Sequence, residues 1–145
     1  MLKQGAAPSL HHVGYVVSSI QESLSQWSSS LCAVATSELY EDPIQKVRAV
    51  FLTLPDGQIV ELIEPASPDS PVKSFLEKGG GLHHLCFEVD DLESHLSYMR
   101  NQRAAAVRRP KPAVAFNGRR IAWMLVSGSM LVEYLERSLP NSASV

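Results

Sequence analysis

The sequence is short of three things: it has only two cysteines, no long apolar run and no surplus of charge of either sign. Cys32 and Cys86 lack metal-type C-x-x-C spacing and are too few for a disulfide framework, so a reducing cytosol is expected, with both thiols buried. No stretch approaches the roughly 20 consecutive apolar residues of a membrane helix. The opening residues MLKQGAAPSL lack the apolar centre of a secretory signal, so a cytoplasmic protein away from membranes is expected. A net charge of −2 with 19% charged residues gives no basis for a nucleic acid or an anionic membrane surface as partner. A small molecule is the expected ligand. The 145 residues, 45% of them apolar, suit one compact domain or two halves sharing a core, since either half alone would be marginal.

What is present is a repetition. Leu10-His11-His12-Val13-Gly14-Tyr15 returns as Leu82-His83-His84-Leu85-Cys86-Phe87, an offset of about 72 positions (82 minus 10), and a fixed offset marks internal duplication. Without a gap, Leu10, His11, His12, Val17, Leu24 and Ser25 meet identical residues at 82, 83, 84, 89, 96 and 97. Farther on, Arg48 falls on Arg120, Val60 on Val132, Glu61 on Glu133 and Glu64 on Glu136.

Each half reads as strand, helix and further strands. Residues 10–17 alternate as a strand, with Val13, Tyr15 and Val17 on one face and His12, Gly14 and Val16 on the other. Ser18 and Ser19 offer an N-cap for a helix over 20–31, where Ile20, Leu24, Trp27 and Leu31 recur at helical spacing. Strands follow over 34–40, 47–54 and 58–63, with Asp42-Pro43 and Pro55-Asp56-Gly57 as turns. A Pro/Ser segment, 65–71, links the halves, and a short helix spans 72–78 before Gly79-Gly80-Gly81. The second half repeats the scheme: a strand over 82–89, Asp90 and Asp91 capping a helix with Leu92, Leu96 and Met99, a weak strand over 104–107, a proline-stiffened segment 109–112, and a hairpin of 120–126 with 130–135. The lead-in, 1–9, is expected to be loose and the tail, 138–145, disordered. The chain 1–145 is therefore expected to be a single α+β domain made of βαβββ repeats 10–64 and 82–136.

The chemistry lies in the matched register. His12 and Glu61 are separated by the same interval as His84 and Glu133 (61 − 12 and 133 − 84). One His and one Glu per repeat are what a pseudo-twofold arrangement needs to bring two nitrogens and two oxygens to one divalent first-row ion. Two carboxylates on inward strand faces would be costly to bury without a cation or other partner. Such an ion acts as a Lewis acid on a carbonyl oxygen. His11 and His83 lie on the opposite face and are expected to pack or to make a strand-end hydrogen bond. Glu64 and Glu136, at strand ends, are expected to be solvated. Glu88 shares parity with His84 and either lines the cleft or lies exposed at a strand end. Arg48 and Arg120 either meet an anionic substrate or are ordinary surface arginines.

Paired βαβββ units carrying an H…E/H…E quartet resemble the vicinal oxygen chelate superfamily of glyoxalase I and the bleomycin-resistance proteins. Ser70-Pro71-Val72 through Phe75-Leu76-Glu77-Lys78, followed by residues 81–91, resembles the methylmalonyl-CoA epimerases in particular. The resemblance implies two modules forming a cupped, eight-stranded mixed sheet around a metal cleft. It implies a cobalt, nickel, zinc or manganese ion on His12, Glu61, His84 and Glu133, a carbonyl or thioester substrate, and a homodimer. The epimerases commonly carry Gln where this chain has Glu61, whereas bacterial glyoxalase I enzymes carry Glu. An epimerase-like His-Pro-Lys segment is replaced by Leu125–Ser129, and no carboxylate stands near Arg48-Ala49-Val50 as a further base.

Two functions follow. The leading one is a metal-dependent lyase or isomerase in which Glu133 or Glu61 moves a proton beside a polarised carbonyl. The alternative is a non-catalytic small-molecule binding or resistance protein of the same fold, with Trp123 lining its cleft and Trp27 packing on a helix. Extradiol-type oxygenation uses two histidines and one carboxylate on iron, and Glu61 as a fourth ligand argues against it.

Overall fold

A computed structural model describes residues 7–137. These fall into two compact units, residues 12–83 and residues 84–137 together with the segment 7–11. The expected disordered tail, 138–145, and most of the lead-in lie outside the described residues.

In chain order the elements are β1 (Ser9–Val16), α1 (Ile20–Leu31), β2 (Val34–Ala35), β3 (Tyr40–Asp42), β4 (Val47–Thr53), β5 (Ile59–Pro65), α2 (Lys73–Glu77), β6 (Gly81–Val89), α3 (Leu92–Asn101), β7 (Ala105–Pro112), a short 3-10 turn (Val114–Phe116), β8 (Arg120–Val126) and β9 (Met130–Glu136). This is the mixed-sheet α+β fold expected, with nine strands among the described residues rather than eight. In the 12–83 unit, β1 runs parallel to β5, β5 antiparallel to β4, and β2 and β3 both pair with β4. The other unit repeats the scheme: β6 parallel to β9, β9 antiparallel to β8, and β8 antiparallel to β7.

Both helices start where the sequence places a cap. The Ser19 hydroxyl accepts from the Glu22 amide, and the Asp91 carboxylate, at the equivalent repeat position, accepts from the Ser94 amide. These bonds satisfy amides that the first turn leaves unpaired, and the one at Asp91 holds its carboxyl below the usual carboxylate range. The two helix-facing cores are built from the same positions. Val17, Ile20, Leu24, Val50, Leu52 and Val60 pack together in one unit. Their counterparts Val89, Leu92, Leu96, Ala122, Met124 and Val132 pack together in the other.

Three expectations are corrected. The strand expected over 34–40 is broken into β2 and β3, because the Phe51 amide donates to the Ser37 hydroxyl instead of to a ladder carbonyl. The weak strand and the proline segment merge into one edge strand, β7, with register shifts between Ala106 and Arg108 and between Arg108 and Lys111. Extra residues at these bulges absorb Pro110, which cannot donate to the ladder. Cys32 is exposed, not buried. It ends α1 in the left-handed conformation (φ 56°), its amide closing the last turn on Ser28. Cys86 is buried as expected.

Candidate functional site

In the 12–83 unit, Gly14 of β1 stands opposite Glu61 of β5. His12, two residues before Gly14, therefore shares a sheet face with Glu61, while Tyr15, Val17, Val60 and Leu62 face α1. His12 is 1% exposed, and its Nε2 lies 3.7 Å from Glu61 Oε1. Phe51, opposite Glu61 across β4 and β5, sets its ring edge-on to His12 at 5.2 Å. The Tyr40 hydroxyl donates to Glu61 Oε2, and its ring lies 5.9 Å from Phe51.

The other unit repeats the construction. Cys86 of β6 stands opposite Glu133 of β9, so His84 and Glu133 share a face. Both are buried, and His84 Nε2 lies 3.6 Å from Glu133 Oε1. Trp123, opposite Glu133 across β8 and β9, packs edge-on to His84 at 4.7 Å.

Both nitrogen–oxygen separations exceed the roughly 2.7–3.2 Å of a hydrogen bond. They are reachable by two donors that share one ion at roughly 2.0–2.2 Å each. Imidazole nitrogen with carboxylate oxygen is also the donor chemistry of zinc, cobalt, nickel or manganese. Within each unit, the residues present fit half of a divalent-metal site.

The remaining sequence candidates fall elsewhere. His11 packs edge-on to Phe116 at 5.5 Å and His83 edge-on to Phe75 at 5.0 Å, as expected of structural histidines. Trp27, on α1, packs on Tyr15 of β1 at 5.3 Å, the helix packing expected. Glu64 and Glu136 are not solvated. Glu64 accepts from Arg48 Nε at 2.8 Å and from the Ile20 amide, at the start of α1, at 2.9 Å. Glu136 is buried and accepts from Arg120 at 2.8 and 3.1 Å. The arginines thus hold carboxylates on the neighbouring strand, β5 for Arg48 and β9 for Arg120. Each guanidinium is pushed above its ordinary value by that carboxylate, Arg120 also by Glu93. Glu88 is half-buried and paired with Arg119 at 3.1 Å. Sequence reasoning missed Tyr40, which it left at the end of a strand, and Phe51. A signal for Phe51 existed: it and Trp123 are aromatics at the same repeat position.

The family model of the glyoxalase/bleomycin resistance protein/dioxygenase superfamily matches residues 11–123, and the chain belongs to that superfamily. Among individual relatives, it is 29% identical over 117 residues to the ethylmalonyl-CoA/methylmalonyl-CoA epimerase of Cereibacter sphaeroides, covering 79% of this chain and 86% of that one. It is 36% identical over 131 residues to the uncharacterized protein YqjC of Bacillus subtilis, covering 88% and 91%. The crystal structure of methylmalonyl-CoA epimerase from Mycobacterium tuberculosis shares its fold, with TM-score 0.83 and 24% identity over 100% of this chain and 97% of that one. Among the described residues, no helix is long and apolar enough to cross a membrane.

Proposed function

We propose that this chain is a divalent-metal-dependent epimerase of a small acyl-CoA thioester, with both units forming one domain in which His12, Glu61, His84 and Glu133 hold one ion. The observation that carries this reading is the repeated His–Glu pair, at 3.7 and 3.6 Å, on buried strand faces. The similarity to an ethylmalonyl-CoA/methylmalonyl-CoA epimerase supports the substrate class. A bound divalent ion would polarise the thioester carbonyl and lower the cost of charge developing beside it. Inversion at the α-carbon needs a proton taken from one face and another delivered to the opposite face. Glu61 and Glu133, one from each repeat, are the two carboxylates assigned to that traffic. Tyr40 holds one Glu61 oxygen by its hydroxyl hydrogen bond, orienting the carboxylate. Phe51 and Trp123 wall the two histidines with apolar surface, which keeps water from competing for the proton. The working form is a homodimer.

The second reading is a glyoxalase-type lyase, favoured by a carboxylate rather than an amide at Glu61. Metal content is measured after cobalt, nickel, zinc and manganese are each offered. Deuterium uptake from heavy water into methylmalonyl-CoA is then compared with turnover of the methylglyoxal–glutathione hemithioacetal. One ion per chain with α-deuteration supports the epimerase. Hemithioacetal turnover without α-deuteration supports the lyase. A chain that takes up none of the four metals is a binding protein, and the catalytic proposal falls.

A further inference from the structure

We propose that the cleft between α3 and β7 is a binding site for a phosphorylated ligand, engaged by Arg100 and Arg109. The cleft has a volume of about 350 Å³ and is lined by Glu93, Leu96 and Arg100 of α3, Arg109 and Pro110 of β7, and Arg120 of β8. That lies at the small end of the roughly 300–1,000 Å³ of ligand pockets.

Charge, geometry and position point the same way. Between Glu93 and Glu133 the chain carries Arg100, Arg103, Arg108, Arg109, Lys111, Arg119 and Arg120 and not one Asp or Glu, in a protein whose net charge is −2. The acid in the cleft is already matched, since both Glu93 oxygens accept from Arg120, at 2.6 and 2.9 Å. Arg120 is in turn anchored by Glu136. Arg100 and Arg109 are exposed, and among the described residues their guanidinium groups make no hydrogen bond or ion pair. Two forked guanidinium groups match the bidentate geometry of phosphate oxygens.

The bulges of β7 aim this site. Arg108 pairs with Trp123 and Lys111 with Ile121, so Arg109 and Pro110 together oppose Ala122. Such an insertion re-aims side chains, and Pro110 stiffens it. Arg120 shares strand parity with Ala122 and Met124, which pack on α3, whereas Trp123 faces His84. The cleft therefore lies on the opposite sheet face from His84 and Glu133, and its occupancy is separable from the metal reading.

The test titrates pyrophosphate, ADP and coenzyme A into the metal-free full chain by calorimetry, for the wild type and for R100A/R109A, with circular dichroism and melting temperature as folding checks. Wild-type binding of pyrophosphate or ADP is expected to weaken about tenfold or more in the folded double variant and to fall with added salt. R100K/R109K, which keeps the charge but loses the fork, is expected to fall between the two. A rise in KM for the CoA thioester in R100A/R109A assigns the phosphate to the tail of the substrate. An unchanged KM with lost ADP binding assigns it to a separate ligand. No binding at millimolar concentration, or equal affinity in wild type and folded R100A/R109A, overturns the proposal.

Discussion

The two repeats set the same pair of side chains at nearly the same separation, 3.7 Å for His12–Glu61 and 3.6 Å for His84–Glu133, yet surround them differently. Glu61 receives a hydroxyl from Tyr40, which pairs with Ala49; the residue that pairs with the equivalent Ile121 in the second unit is Lys111, which carries no hydroxyl. The histidine is walled by Phe51 in one unit and by the larger Trp123 in the other. On the helix face, the first-repeat position Ser23 becomes His95, buried against Tyr134 at 4.6 Å. Duplication has thus kept the strand register that aims the pairs and changed the groups that tune them.

Four experiments press on that comparison. The largest effect is expected from His12→Ala and His84→Ala. Each should lower metal affinity by more than the roughly 10–100-fold that an outer partner costs, and by a similar factor if the halves contribute equally. Metal titration of both variants measures the ratio, and a loss confined to one of them breaks the equivalence. Next come Ile20→Ala and Leu92→Ala, buried at equivalent helix positions. Each is expected to cost about 2–5 kcal/mol in urea unfolding, and a marked inequality would show that the duplicated cores are packed differently.

Tyr40→Phe removes the hydroxyl that donates to Glu61. Its expected cost is about 1 kcal/mol of stability, with metal affinity reduced about tenfold; unchanged metal affinity would mean that the bond does not orient Glu61. The smallest effect concerns pH. Burial pushes His95 below its ordinary value of 6.5, so on acidification the unfolded chain takes up a proton before the folded chain does. Stability from this group is complete above that value and lost as pH falls through the folded one. His95→Ser, which copies the first repeat, is expected to flatten the fall in melting temperature between about pH 7 and 5. A slope as steep as that of the wild type would remove His95 as its cause.

Much of this was legible beforehand, for a physical reason. A strand turns its side chains with period two and a helix with period near 3.6, so a gapless repeat puts equivalent residues on equivalent faces. That is why Ile20 and Leu92 reach equivalent cores and why the histidine and glutamate of each repeat meet. What was not legible depended on partners brought together by pairing. Arg48 and Glu64 read as separate surface charges until the β4–β5 register set them opposite one another. Arg120 and Glu136 continue the β8–β9 register one pair beyond Ile121 and Leu135, and Glu93 reaches Arg120 from α3.

The sequence by itself determined the duplication, the α+β class, the two caps and the four proposed ligands, because each rests on spacing along one strand or helix. Only the tertiary structure decided that Tyr40 donates to Glu61, that Arg48 and Arg120 serve carboxylates, and that β7 bulges over α3 to leave two arginines unpaired. Those contacts join residues far apart in sequence. Their existence depends on strand order, register shifts and bulges, which local periodicity does not encode.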